Sequence, residues 1–142
     1  MLIGVALGAM AVTLGIGLTM FAGMVRSGRR LPGLVYFHLV SAFVAFGGWT
    51  AYAVQDPRPR WLALGVLLVL LAAAMPAGDQ LMLRHWRARA TAAGRPTPTG
   101  AGAYAAAAGD VLSFARPKVA LHALLAATGF FSVLLVTLGV GD

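Results

Sequence analysis

The sequence contains no cysteine. Disulfides, iron–sulfur clusters, thiolate nucleophiles and covalent haem attachment through a CxxCH motif are therefore excluded. Charge is scarce as well: charged residues make up 11% of the chain, and only four are acidic. That leaves no carboxylate cluster or HExxH motif to hold a metal, and no Ser-His-Asp set at a common depth. No glycine-rich loop leads into a soluble helix, as phosphate binding requires. Paired carboxylates within an apolar helix, the mark of an ion-coupled transporter, are also missing. Independent hydrolytic or transport activity is not expected.

What the chain has in excess is apolar residue. Of its 142 residues 60% are hydrophobic, and its mean hydropathy is +0.84. They fall into four blocks, 2–24, 33–54, 61–83 and 119–140. At about 1.5 Å per helical residue, each block crosses about 30 Å of hydrocarbon. The blocks are continuous and rich in Leu and Ala rather than alternating, so helices are expected and strands are not. The first block is too long for a signal peptide and lacks a preceding positive charge, so it is expected to be retained. The fold class implied is all-α: one domain of four transmembrane helices in an up-and-down bundle.

The net charge of +7 serves topology rather than nucleic acid. The basic residues sit between the apolar blocks, with no aromatic-basic platform beside them. Arg26, Arg29 and Arg30 follow the first block, and Arg84, Arg87, Arg89, Arg95, Arg116 and Lys118 lie in the third connection. The second connection has only Arg58 and Arg60. The positive-inside rule then makes the first and third connections cytoplasmic and puts both termini outside, in a bacterial cytoplasmic (inner) membrane. Trp61 and Trp86, at opposite ends of the third helix, occupy positions of interfacial anchors.

The connection 84–118 is the long one. Residues 94–100, with two prolines and two glycines, have linker chemistry. Residues 101–115 are alanine-rich with Tyr104, Val111, Leu112 and Phe114, which predicts a short interfacial helix on the membrane surface. Pro32 and Pro117 stand at the starts of helices two and four, and Pro76 should kink or shorten helix three.

Ionisable groups inside a membrane helix are functional candidates, and here they are His38, His122 and, near an interface, Asp79. Both histidines follow a helix-starting proline closely, which places them roughly 8–9 Å in from the same, cytoplasmic, end. Helices two and four of an up-and-down bundle lie diagonally across its centre. Two neutral imidazoles facing each other there are what a flat haem needs at its two axial positions. Small residues line both faces: Ser41, Ala42, Ala45 and Gly48 beside His38, and Ala126, Gly129 and Ser132, with Leu125, beside His122. Gly4, Gly8, Gly15, Gly17 and Met20 of helix one could add room. Arg29, Arg30, Arg116 and Lys118 lie about two turns outside the histidines, placed to pair with haem propionates. The segment Val35-x-x-His38-x-x-x-Ala42 matches Val119-x-x-His122-x-x-x-Ala126, as duplication of a hairpin would produce.

A plainer account of the same residues stands beside this one. Small residues at four-residue spacing also let membrane helices pack closely, and a histidine in such a seam can simply bond across it. Asp79 is expected to form an ion pair with Arg84, with proton exchange to a quinone as the sharper alternative; His85 is expected to be solvated.

The His38 and His122 helices resemble the second and fourth helices of the cytochrome b four-helix core, which hold haem from diagonal positions. The resemblance implies haem b bound through His38 and His122. It also marks a departure. That family carries a second histidine about four turns along each ligand helix, where this chain has Tyr52 and Val136. Only the cytoplasmic-side haem is then expected, and electrons would pass to a larger membrane complex or to quinone near one face. The expected function is a b-type cytochrome subunit, an electron-transfer subunit rather than an independent enzyme. The alternative is a non-catalytic accessory or assembly subunit of a larger membrane complex.

Overall fold

A computed structural model describes residues 1–28, 30–112 and 116–140. All regular structure among them is helical: α1 (Leu2–Arg26), α2 (Gly33–Val54), α3 (Arg60–Val69), α4 (Met75–Ala92), α5 (Gly100–Leu112) and α6 (Pro117–Thr137). α3 continues into α4 through a π-helical turn at Leu70–Ala74, giving one rod of 33 residues from Arg60 to Ala92. α1, α2, this rod and α6 are each long and apolar enough to cross a membrane. Their outer faces carry exposed Val40, Leu68 and Phe131, side chains that suit contact with lipid tails. The chain is a multi-pass membrane protein with an all-α bundle.

The spans close a ring. α1 packs along α6 and α2 along the third rod, while α1–α2 and α3–α6 contacts complete the circuit. α2 and α6 therefore oppose each other across a diagonal, as expected for an up-and-down bundle.

The core lies at one end of the bundle. Ala6, Ala45, Trp49, Tyr52, Ala63, Val66, Val133 and Val136 form one buried cluster, joined by Leu2 and Ile3. Trp49 is fully buried, stacks on Tyr52 with ring centroids 4.9 Å apart, and donates its indole N–H to the Ile3 carbonyl at 3.3 Å. This is the end where α2 and α6 finish and α1 and α3 begin, opposite the histidines. Tyr52 and Val136, where a second pair of ligands would stand, are part of this filled core.

The third rod is longer than the expected 61–83. At about 1.5 Å per residue it extends roughly 50 Å, well beyond about 30 Å of hydrocarbon. Residues 84–92 lack a helix breaker, and the rod ends at a glycine. Gly94, at φ +63°, donates its N–H to the Thr91 carbonyl, and Arg95 donates to Ala90. These paired bonds are a Schellman end, which needs a left-handed residue at that position. Pro76 neither shortens the rod nor stops it; the π-helical turn just before it absorbs the missing donor.

The helix expected at 101–115 is present as α5, and 113–115 lie outside the described residues. Its alanine face is covered by protein. Ala103 and Ala107 are buried against Leu83, with Met82 and Trp86 packed alongside. Trp86, expected as an interfacial anchor, is thus half-buried beneath α5. Polar contacts flank the seam: Gln80 Nε2 donates to the Tyr104 hydroxyl at 2.7 Å, and Arg89 pairs with Asp110 at 3.4 Å.

Candidate functional site

His38 lies one turn and a half into α2, and His122 stands at the corresponding place in α6. Their rings meet across the diagonal with centroids 6.2 Å apart and planes inclined by 62°. Each ring is tied to a helix of the other hairpin. His38 Nδ1–H donates to the Ala74 carbonyl on the third rod at 2.8 Å. His122 Nδ1–H donates to the Thr13 carbonyl on α1 at 3.0 Å. A carbonyl only accepts, so each Nδ1 carries a proton, and Nε2 is the ring nitrogen left to act as a ligand. Among the described residues no hydrogen bond engages either Nε2.

Glycines make both docks possible. A Cβ at Gly78 would lie 3.0 Å from His38 Cε1, and one at Gly17 would lie 3.2 Å from His122 Cε1. Both glycines follow the accepting residue by one helical turn, so carbonyl and gap lie on one face of the rod. The two sites are the same device used twice: a carbonyl, then a glycine four residues on, receiving the histidine of the opposite hairpin. The matched segments around His38 and His122 agree with that internal symmetry.

The stripes of small residues divide in two. At the core end they are filled. A Cβ on Gly48 would stand 2.8 Å from Val66 Cγ2, one on Gly129 would stand 3.1 Å from Met10 Cγ, and Ala45 is fully buried. These positions serve close helix packing. Near the histidines, Ser41 is buried with its hydroxyl donating back to the Phe37 carbonyl at 2.7 Å, while Ala42, Leu125 and Ala126 are half-buried. Thr13 Oγ1, in the turn whose carbonyl receives His122, is buried with no hydrogen-bond partner. A hydroxyl so placed is costly unless something else satisfies it.

The separation of the two rings is compatible with the axial positions of one haem iron. Two metal–nitrogen bonds of about 2 Å each, with roughly 1 Å from each ring centre to its nitrogen, span about 6 Å. That matches the observed gap between the rings. Among the described residues no group of three or more His, Asp or Glu side chains comes together. Each Nδ1 bond fixes the orientation of its ring, as an outer-shell partner does for a ligating histidine.

The residues expected to partner propionates have separate surroundings. Arg29 lies outside the described residues. Arg30 lines a cleft of about 410 Å³ with Val25, Gly28, Leu31 and Tyr36. Lys118 lines a lipid-side groove of about 390 Å³ with Val12, Gly15, Ile16, Thr19 and Leu121. The Arg116 guanidinium donates to His85 Nε2, so His85 is a partner rather than merely solvated. Asp79 is exposed and makes no ion pair with Arg84. The reason is spacing: five residues along a helix is about 140° around it, whereas partners share a face at three or four.

Gly78 and the Ala74 and Thr13 carbonyls were not signalled by the sequence. A main-chain acceptor has no residue signature, and Gly78 sits among other small residues on a helix whose facing is fixed only by packing. The chain matches no family model, no curated protein and no solved structure.

Proposed function

We propose that this protein is a small b-type cytochrome subunit that holds one haem between His38 and His122 and relays electrons near the cytoplasmic side of a bacterial inner membrane. The observation that carries the reading is the pair itself: two rings 6.2 Å apart on diagonal helices, each with Nδ1 committed to a carbonyl. Bound haem would supply one-electron storage. His38 and His122 would hold its iron through Nε2, and the Ala74 and Thr13 carbonyls orient both rings. The Trp49–Tyr52 core closes the opposite end to water and to a second cofactor. Arg30 would offer a guanidinium donor for a propionate at the cytoplasmic end, and Arg116 would do so on leaving His85. A single site on one side of the bilayer needs a partner, either a larger membrane complex or quinone near that face.

Reduced-minus-oxidised visible spectra of the purified protein test this. A sharp b-type α band is expected, abolished by His38→Ala and by His122→Ala. Its absence after expression with ample haem would overturn the reading. The accessory-subunit alternative would then lead, supported by the filling of Gly48 and Gly129 through packing alone. The orientation rests on the arginine bias; labelling from outside of cysteines introduced at 87–95 would contradict it.

A further inference from the structure

We infer that Gly17 and Gly78 are positioning residues that set the mutual angle of the two imidazoles, each acting on the histidine of the opposite hairpin. This rests on the haem reading for its spectroscopic consequence, but the positioning belongs to the chain itself. The ring planes stand 62° apart. A histidine rotating freely about its χ2 bond would not hold such an angle. Here each ring is fixed twice, by the Nδ1–H bond to a carbonyl and by lying against a helix face that has no Cβ. The carbonyl sets where the proton-bearing edge points, and the glycine lets the ring lie close enough to reach it.

The consequence follows from ligand chemistry. Imidazole π orbitals lie perpendicular to the ring plane, so the angle between the rings determines which iron d orbitals they mix with. Rings far from parallel leave a low-spin ferric centre strongly anisotropic. The Nδ1–H bonds add a second effect. With haem bound they would raise ligand basicity and so favour the ferric state. Disturbing a cradle should therefore move two quantities together, the low-field g value and the midpoint potential.

The two cradles differ in tightness, which yields a graded test. An alanine methyl at Gly78 would meet His38 Cε1 at 3.0 Å, a tight contact that the ring relieves by giving a few tenths of an ångström, at the expense of its bond to Ala74. At Gly17 the approach is 3.2 Å, and a smaller tilt relieves it. Gly23, on the same helix, would meet nothing within 4 Å and serves as control.

Two measurements on the full chain decide the matter. In the apo-protein, nitrogen NMR of labelled histidine should show Gly78→Ala shifting the His38 resonances and sparing His122, with Gly17→Ala doing the reverse. In the haem-loaded protein, low-temperature EPR and potentiometry should show Gly78→Ala moving the low-field g value and raising the potential. Gly17→Ala should do both to a lesser degree, and Gly23→Ala should match the wild type. If Gly78→Ala fails to fold, Gly17→Ala carries the test alone. Histidine resonances unchanged in both cradle variants, or a g value and potential unchanged in both, would overturn the inference. A wild-type protein with no α band would instead sink the haem reading and leave the NMR arm to judge the cradles.

Discussion

Nδ1 of His38 lies 2.8 Å from the carbonyl oxygen of Ala74, the last residue of the π-helical turn in the third rod. Two residues later stands Pro76, which has no N–H to return to the preceding turn. A π-helical turn holds one residue more than an α-helical one, and such bulges often mark functional positions. Here the widened turn ends where the histidine docks. Proline, bulge and histidine dock form one local unit, which explains how a rod of 33 residues keeps Gly78 facing α2.

Removing one residue from the bulge tests that unit. Deleting Ala72 should return the turn to α-helical form with both flanks in register. However, Pro76 would then clash with the carbonyl four residues before it, at a cost of about 3 kcal/mol. The deletion combined with Pro76→Ala should recover near wild-type stability. Deleting Leu67 from the regular part of α3 should not be rescued, because everything beyond it rotates by about 100° and Gly78 leaves His38. Reversible unfolding in detergent measures all three. A combined variant no more stable than the single deletion would refute the link between proline and bulge.

Gly48 gives a second prediction. Its missing Cβ would stand 2.8 Å from Val66 Cγ2 in the filled core. Gly48→Ala should therefore destabilise the bundle by about 1–3 kcal/mol through overpacking. Val66→Ala in the same chain should recover part of that loss, since it removes the methyl that is struck. Gly47→Ala meets nothing within 4 Å and should be neutral. Equal effects at Gly47 and Gly48 would show that helix propensity, and not the α2–α3 seam, governs these sites.

The spans were legible because a bilayer demands long apolar runs, and these four have few competing readings. The shared depth of His38 and His122 was legible for a related reason: a helix-starting proline fixes the origin from which each is counted. What composition could not give was facing. Gly48 and Gly129 read as room beside a cofactor, yet Val66 and Met10 occupy that room. Trp86 read as an interfacial anchor, and the packing of α5 against it was not foreseen. Both have one cause, since the partner of a helix face is chosen by tertiary packing and leaves no mark in local sequence. Gly78 escaped notice on the same ground, although Gly17 stood among the glycines already singled out on helix one.

The docking of α5 supplies the last prediction, and it separates packing from charge. Apolar packing, an ion pair and the Gln80–Tyr104 hydrogen bond hold this helix on the extended end of α4. Ala103 and Ala107 are buried against Leu83, while Arg89 and Asp110 pair at 3.4 Å with side chains 39% and 28% exposed. An ion pair that accessible is screened by water and salt, and it contributes under about 1 kcal/mol. Ala107 is 1% exposed, so a larger side chain there has nowhere to go. Ala107→Leu should force α5 off its seat at a cost of about 1–3 kcal/mol, whereas Arg89→Ala should leave it seated. Amide hydrogen exchange across Gly100–Leu112 reads the difference directly, because released helices lose protection. Exchange in Ala107→Leu should quicken by roughly tenfold or more, and in Arg89→Ala by less than about fivefold. The reverse ranking would mean that charge, not the alanine face, holds the helix down, and added salt would then loosen it in the wild-type protein.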